Sequence, residues 1–152
     1  MKNILMVCLG NICRSPLAEG ILQSKVNPDE VSVDSAGTAA YHVGELPDTR
    51  SIEVARKYGI DLTSQRARKF TAKDFSNFDL IYAMDDHNYQ NILSLAKNKL
   101  EAKKVKMILN EVHLQQNLSV PDPYYGGDQG FENVYQMLDE ACEIIANRLV
   151  NQ

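Results

Sequence analysis

The first twenty residues, MKNILMVCLGNICRSPLAEG (residues 1–20), decide how the chain is read. Ile4–Val7 is an unbroken apolar run of strand length, and it ends on a thiol, Cys8. A loop of small and polar residues follows, with Arg14 six positions after the cysteine. Ser15 and Pro16 then suit the N-cap and first position of a helix reaching Lys25. A buried strand that empties through a short polar loop into a helix is the opening of a parallel strand–helix unit.

The same alternation continues along the chain. Val31–Val33 reads as a second strand running into a turn at Ser35-Ala36-Gly37-Thr38. Thr49 to Tyr58 reads as a helix that stops at Gly59. Leu80–Ala83 is a third strand, followed by a helix from about Asn88 to Lys97, and Val105–Leu109 is a fourth strand. Phe131, Val134, Tyr135, Leu138, Cys142, Ile145 and Leu149 recur at spacings of three and four. They form the apolar stripe of a C-terminal helix, with Cys142 inside the core. The expected fold is α/β: a single-domain, three-layer sandwich over residues 1–152, with a four-stranded parallel sheet and helices on both faces. Such sheets bind ligands at the C-terminal ends of their strands, where the Cys8–Arg14 loop lies.

Composition narrows the function. At 152 residues the chain is long enough to bury a core without disulfides or a metal. A formal net charge of -4 argues against a nucleic-acid partner. No apolar stretch approaches a membrane span, and the apolar run after Met1-Lys2-Asn3 is too short for a signal peptide. Three cysteines without framework spacing suit a reducing cytoplasm. His42, His87 and His113 are scattered, and no metal-binding motif appears, so no metal or organic cofactor is expected.

The loop itself suits an oxyanion. Backbone N–H groups between a strand and a helix line an anion-binding concavity. Gly10 allows backbone geometry that a side chain would forbid. Arg14 supplies a planar fork matched to two oxygens of a tetrahedral anion. A cysteine in that positive setting is held as a thiolate, and Ser15 is placed to donate a hydrogen bond to it. A thiolate facing a bound phosphoryl group is a nucleophile aimed at phosphorus, stabilised by the same donors. The leaving group then needs a proton from a carboxylic acid. Asp122, between Pro121 and Pro123 in SVPDPYYGG, is the candidate, held in place by restricted backbone on both sides.

VCLGNICRSPLAE closely resembles the signature of the low-molecular-weight protein tyrosine phosphatases. The likeness continues through VDSAGT at Val33–Thr38, KDFSNFDLIYAMD and DPYYGG at Asp122–Gly127, covering nearly the whole chain in the family's order. The resemblance implies hydrolysis of phosphotyrosine in proteins through a phosphocysteine intermediate, without metal. It implies Cys8 as nucleophile, Arg14 as phosphoryl ligand and Asp122 as general acid, then base. Leu9, Gly10, Asn11, Ile12, Cys13 and Ser15 would complete the phosphate loop, with Asn11 held in contact with Ser35. Tyr41 and Tyr124 would form the wall against the substrate ring, an arrangement that suits flat aromatic groups. Tyr124 and Tyr125 also resemble tyrosines on which a kinase acts in some members. The family habit further implies a reversible Cys8–Cys13 disulfide under oxidation. Asp85 matches an acidic family position and is expected to be structural, while Tyr58 and Gln65 stand where some relatives have histidine.

Four rivals share the scaffold logic. A protein-arginine phosphatase would carry threonine where this chain has Ile12. A thioredoxin-coupled arsenate reductase needs further cysteines near residues 80–90, where LIYAMDDHNYQ has none. A non-catalytic phosphoprotein-binding module would have lost Cys8, Arg14 or Asp122, and a phosphocysteine carrier of sugar transport would not need the Asp-Pro acid.

Overall fold

The central strand β1 (Lys2–Cys8) pairs on both edges, with β2 (Val31–Gly37) on one side and β3 (Leu80–Ala83) on the other. The computed structural model of the protein describes residues 1–150, apart from the Tyr125 side chain. The last two residues of the expected 1–152 domain lie outside the described residues. A fourth strand, β4 (Val105–Met107), pairs with β3, giving an all-parallel sheet in the order β2-β1-β3-β4. Helices α1 (Arg14–Lys25), α2 (Thr49–Lys57), α3 (Asp74–Asn77), α4 (Asp86–Leu95), α5 (Lys99–Ala102) and α6 (Gly127–Val150) complete the chain.

Side chains alternate across β1 and divide the core in two. Ile4, Met6 and Cys8 pack with Leu17 and Ile21 of α1 and with Phe131 and Leu138 of α6. Leu5 and Val7 face the opposite way, toward Phe75 of α3 and Ile92 of α4. A sheet buried on both faces explains why β1 reads as a continuous apolar run rather than an alternating one. Cys142 is fully buried in the α6 stripe, as its spacing suggests.

The strand order also positions the site. The chain leaves β1 for β2 on one side, and the remaining strands are laid down on the other. The carboxyl end of β1 beside β3 is therefore the topological switch point, where ligands bind in open α/β sheets. Cys8 is the last residue of β1.

Several boundaries differ from the sequence reading, each for a local reason. Ser35, Ala36 and Gly37 continue β2 because they pair in register with Met6, Val7 and Cys8, so the turn begins at Thr38. Helix α1 starts at Arg14 without a side-chain cap. Ser15 lies inside it, and its hydroxyl faces Cys8 instead of capping. Helix α4 starts at Asp86 because the Asp85 side chain accepts from the Asn88 N–H as N-cap. Beyond Met107 the chain tightens into a 3₁₀ turn over Ile108–Glu111 rather than extending β4. Helix α2 ends as expected, one residue before a Tyr58 C-cap and a left-handed Gly59 with φ 81°.

Candidate active site

The loop between Cys8 and α1 turns on an asparagine. Asn11 adopts φ 58°, the left-handed region that asparagine enters more readily than most residues. This corrects the role expected of Gly10, whose φ is not positive. At Gly10 the constraint is close packing, since a Cβ there would lie 3.2 Å from Cδ2 of His42. Among the described residues, none of the N–H groups of Gly10, Asn11, Ile12 and Cys13 donates to a protein acceptor. Four consecutive donors without an internal partner form a nest whose chemistry calls for an anion.

Buried polar side chains hold this shape. The Arg68 N–H donates to Asn11 Oδ1 at 3.0 Å, which turns the amide NH₂ toward two serines. Asn11 Nδ2 donates to Ser15 Oγ at 2.8 Å and to Ser35 Oγ at 2.9 Å, so the expected Asn11–Ser35 contact is present. Ser15 Oγ lies 2.9 Å from Cys8 Sγ. From α2's side, the Asp48 N–H donates to the Ile12 carbonyl at 2.7 Å. Gly37 lies against the loop so closely that a Cβ would come within 2.7 Å of the Leu9 carbonyl and 3.1 Å of the Asn11 nitrogen.

Arg14 is buried at the start of α1, 6% exposed. Both hydrogens of its Nη1 are committed, one to Asp85 Oδ2 and one to the Val120 carbonyl, each at 2.8 Å. Nε and Nη2 make no hydrogen bond among the described residues and keep three donors for a ligand. Asp85 thus fixes Arg14 and caps α4 at once. Val120 is itself anchored, its N–H donating to the Met84 carbonyl at 2.8 Å. Two residues on, Asp122 stands at the start of a 3₁₀ turn over Pro123–Gly126, and its Oδ1 accepts from the Tyr124 N–H at 2.9 Å. Leu9, Arg14, Asp85, Asn88, Val120 and Asp122 line one open cleft of about 480 Å³. A larger cavity of about 550 Å³ lies elsewhere, beside Lys106, Glu111 and Arg148. There Arg148 is already paired with Glu111 and with the Tyr82 hydroxyl, so its charge is answered within the protein.

Tyr41 and Tyr124 are both exposed, at 76% and 59%. Tyr124 is placed by Arg50, whose guanidinium lies 5.0 Å from the Tyr124 ring centre and 4.6 Å from that of Phe131. Asp48 holds the same guanidinium at 3.2 Å. The side chain of Tyr125 lies outside the described residues. All three cysteines are free thiols. Burial, with smaller contributions from Asp48, Cys8 and Asp122, pushes the Cys13 thiol up to about 12. Among the described residues no group of three His, Cys, Asp or Glu side chains converges as a metal site would require. No helix among them is long and apolar enough to cross a membrane.

Several contributors to the site carry no motif of their own. Asp48, Arg50, Arg68 and Val120 reach the loop or its supports from distant segments, and only Asp48 leaves a local trace, as the cap before α2. Glu19 lies within the quoted signature, but nothing in it marks the bond to Ser35.

Comparison with known proteins agrees with this geometry. The family model for low molecular weight phosphotyrosine protein phosphatase matches residues 3–152. The low molecular weight phosphotyrosine protein phosphatase of Schizosaccharomyces pombe is 44% identical over 148 residues, covering 91% of this chain and 92% of that protein. Among solved structures, a protein tyrosine phosphatase from Entamoeba histolytica superposes with a TM-score of 0.91 at 35% identity, covering 99% of this chain and 98% of that one. The Drosophila arginine phosphatase superposes with a TM-score of 0.88 at 32% identity, covering 97% of each chain. With nearly the whole length matched in sequence and in fold, the chain belongs to the low molecular weight phosphotyrosine protein phosphatase family.

Proposed function

We propose that the protein hydrolyses phosphotyrosine in proteins, and small aryl phosphates, through a cysteinyl-phosphate intermediate and without a metal ion. The observation that carries this is the Cys8–Arg14 loop: a thiol, four unspent backbone donors and three free arginine donors gathered at one strand end. The Cys8 thiolate attacks phosphorus, and the bond to the tyrosyl oxygen breaks as that oxygen takes the proton of Asp122. Water then attacks the phosphocysteine, Asp122 accepts its proton, and phosphate leaves with the thiolate restored. Charge developing on the transferred group is met by the loop N–H groups and Arg14. Leu9, Gly10, Asn11, Ile12 and Cys13 form the cradle, Ser15 supports the thiolate, and Ser35 supports Asn11. Tyr41 and Tyr124 flank the substrate ring, with Tyr124 held by Arg50. The chemistry in this proposal comes entirely from side chains and backbone, so no cofactor takes part in it.

The arginine-phosphatase neighbour raises a second substrate on the same machinery, phosphoarginine. Ile12 favours phosphotyrosine, because its apolar side chain offers no hydroxyl to orient attack on a P–N bond. Arsenate reduction fits poorly: Cys142 is fully buried in α6 and bonds inward to the Ala18 carbonyl.

The test is phosphate release from matched phosphotyrosine and phosphoarginine peptides with chelator present and Cys8→Ser as control. Cys8-dependent release from phosphotyrosine alone is expected, and a preference for phosphoarginine would overturn the substrate assignment. Asp122→Ala should slow poor aryl leaving groups by about 10²–10⁴-fold, the usual worth of a positioned acid, and activated ones far less. Equal slowing of both would remove Asp122 from the acid role.

A further inference from the structure

Ser35 donates its hydroxyl to a carboxylate that the mechanism above does not use. Glu19 lies one helical turn beyond Ser15 on α1, half-buried, with Oε1 2.6 Å from Ser35 Oγ. We infer that Glu19 is a positioning residue for the nucleophile: by accepting the Ser35 hydrogen it leaves Ser35 Oγ to accept from Asn11, which keeps the Asn11 amide aimed so that Ser15, accepting from it in turn, donates to Cys8. The inference rests on Cys8 being the nucleophile.

The direction follows from counting hydrogens. Asn11 Oδ1 is occupied by the Arg68 N–H, so both Asn11 amide hydrogens go to the two serine oxygens. Each serine therefore accepts from Asn11 and has one hydrogen of its own to place. For Ser15 the remaining partner is Cys8 Sγ at 2.9 Å, and for Ser35 it is Glu19 Oε1. Without an acceptor at position 19, the Ser35 hydrogen would compete for the space that Asn11 Nδ2 fills. One of the two bonds that keep the Asn11 amide aimed would weaken, and with it the left-handed turn at Asn11 and the orientation of Ser15.

The surroundings suit a carboxyl that must accept. On β2, Asp34 adjoins Ser35 and faces Glu19, and Arg68 opposes it with a guanidinium already shared between Asp34 and Asp74 of α3. Burial dominates this balance and pushes the Glu19 carboxyl up to about 7. Near neutrality the group gains or loses a proton, and only the ionised form is an obligate acceptor for Ser35.

The experiment compares Glu19→Ala, which removes the acceptor, with Glu19→Gln, which keeps a carbonyl in its place. Alkylation of Cys8 by iodoacetamide is followed from pH 4 to 9 by mass spectrometry of the Cys8 peptide, with thermal stability measured alongside. Glu19→Ala should move the Cys8 profile up by about one pH unit, a rate loss of about tenfold below the midpoint. Glu19→Gln should stay within about twofold of the unsubstituted protein, and Glu19→Ala should add nothing in a Ser35→Ala background. A lowered melting temperature with an unchanged Cys8 profile would overturn the inference and leave Glu19 a structural residue. Equal defects in the Ala and Gln variants would overturn it too. Because alkylation needs no phosphate ester, failure of the phosphatase reading shows separately, as no phosphate release from phosphotyrosine peptides by the unsubstituted protein.

Discussion

Replacing Asp85 by alanine removes two bonds with one side chain, and their sum is open to measurement. Oδ1 accepts from the Asn88 N–H at 2.7 Å as the N-cap of α4. Losing such a cap costs about 1 kcal/mol. Oδ2 accepts from Arg14 Nη1 at 2.8 Å, with the two side chains 7% and 23% exposed. Losing a hydrogen bond to a charged group costs about 2 kcal/mol. The full penalty of a broken buried pair is not reached, because Arg14 keeps the Val120 carbonyl and opens onto the cleft. Asp85→Ala should therefore destabilise the protein by about 3 kcal/mol, a fall of roughly 6–12 °C in Tm at this chain length. Asp85→Asn keeps one acceptor and a good capping residue, and should lose about half as much. The chain has no tryptophan, so urea unfolding is best followed by far-UV circular dichroism. Saturating inorganic phosphate should recover more of the loss in Asp85→Ala than it adds to the unsubstituted protein, because the anion answers the stranded Arg14 charge. A loss below about 1 kcal/mol in Asp85→Ala would refute the claim that one carboxylate serves both elements.

Two further substitutions probe the framework. Gly37→Ala should cost about 1–3 kcal/mol through overpacking, since its Cβ meets the Leu9 carbonyl and Asn11 nitrogen rather than a pliant side chain. Its kcat/KM toward an aryl phosphate should fall more than tenfold, and a fully active Gly37→Ala would show that the loop tolerates displacement. Asn88 is fully buried, and among the described residues neither side-chain polar atom has a protein partner. Asn88→Leu should therefore fall within about 1 kcal/mol of the parent or exceed it in urea unfolding. A larger loss would point to hydration of that amide from the cleft.

Much of the fold was legible because strand–helix alternation is a local signal. β1 and β3 are apolar runs of strand length, and α6 carries its stripe at regular spacing. Boundaries slipped where a partner decided them: Ser35–Gly37 resemble a turn in isolation and become strand only because β1 runs alongside. The site divides in the same way. Cys8, Arg14 and Ser15 sit in one contiguous motif, and Asp122 is marked by its flanking prolines. Glu19 closes the same motif, but its partner Ser35 lies 16 positions on, and Arg68 and Val120 act through contacts spanning 57 and 106 positions, of which no periodicity gives notice. Gly10 and Asn11 show the limit most sharply, since sequence logic assigned the unusual backbone to the glycine and the chain placed it on its neighbour.

The doubly anchored Nη1 of Arg14 has a thermodynamic consequence. An arginine side chain gives up roughly 2 kcal/mol of rotamer entropy when it is immobilised. Here that loss is incurred when the chain folds, because Asp85 and Val120 hold the guanidinium before any ligand arrives. An oxyanion meets a receptor that is already ordered, and none of its binding energy is diverted to ordering it. The same economy applies to every tetrahedral anion of suitable size, the released inorganic phosphate included. Competitive inhibition by the enzyme's own product is the natural accompaniment of a rigid arginine.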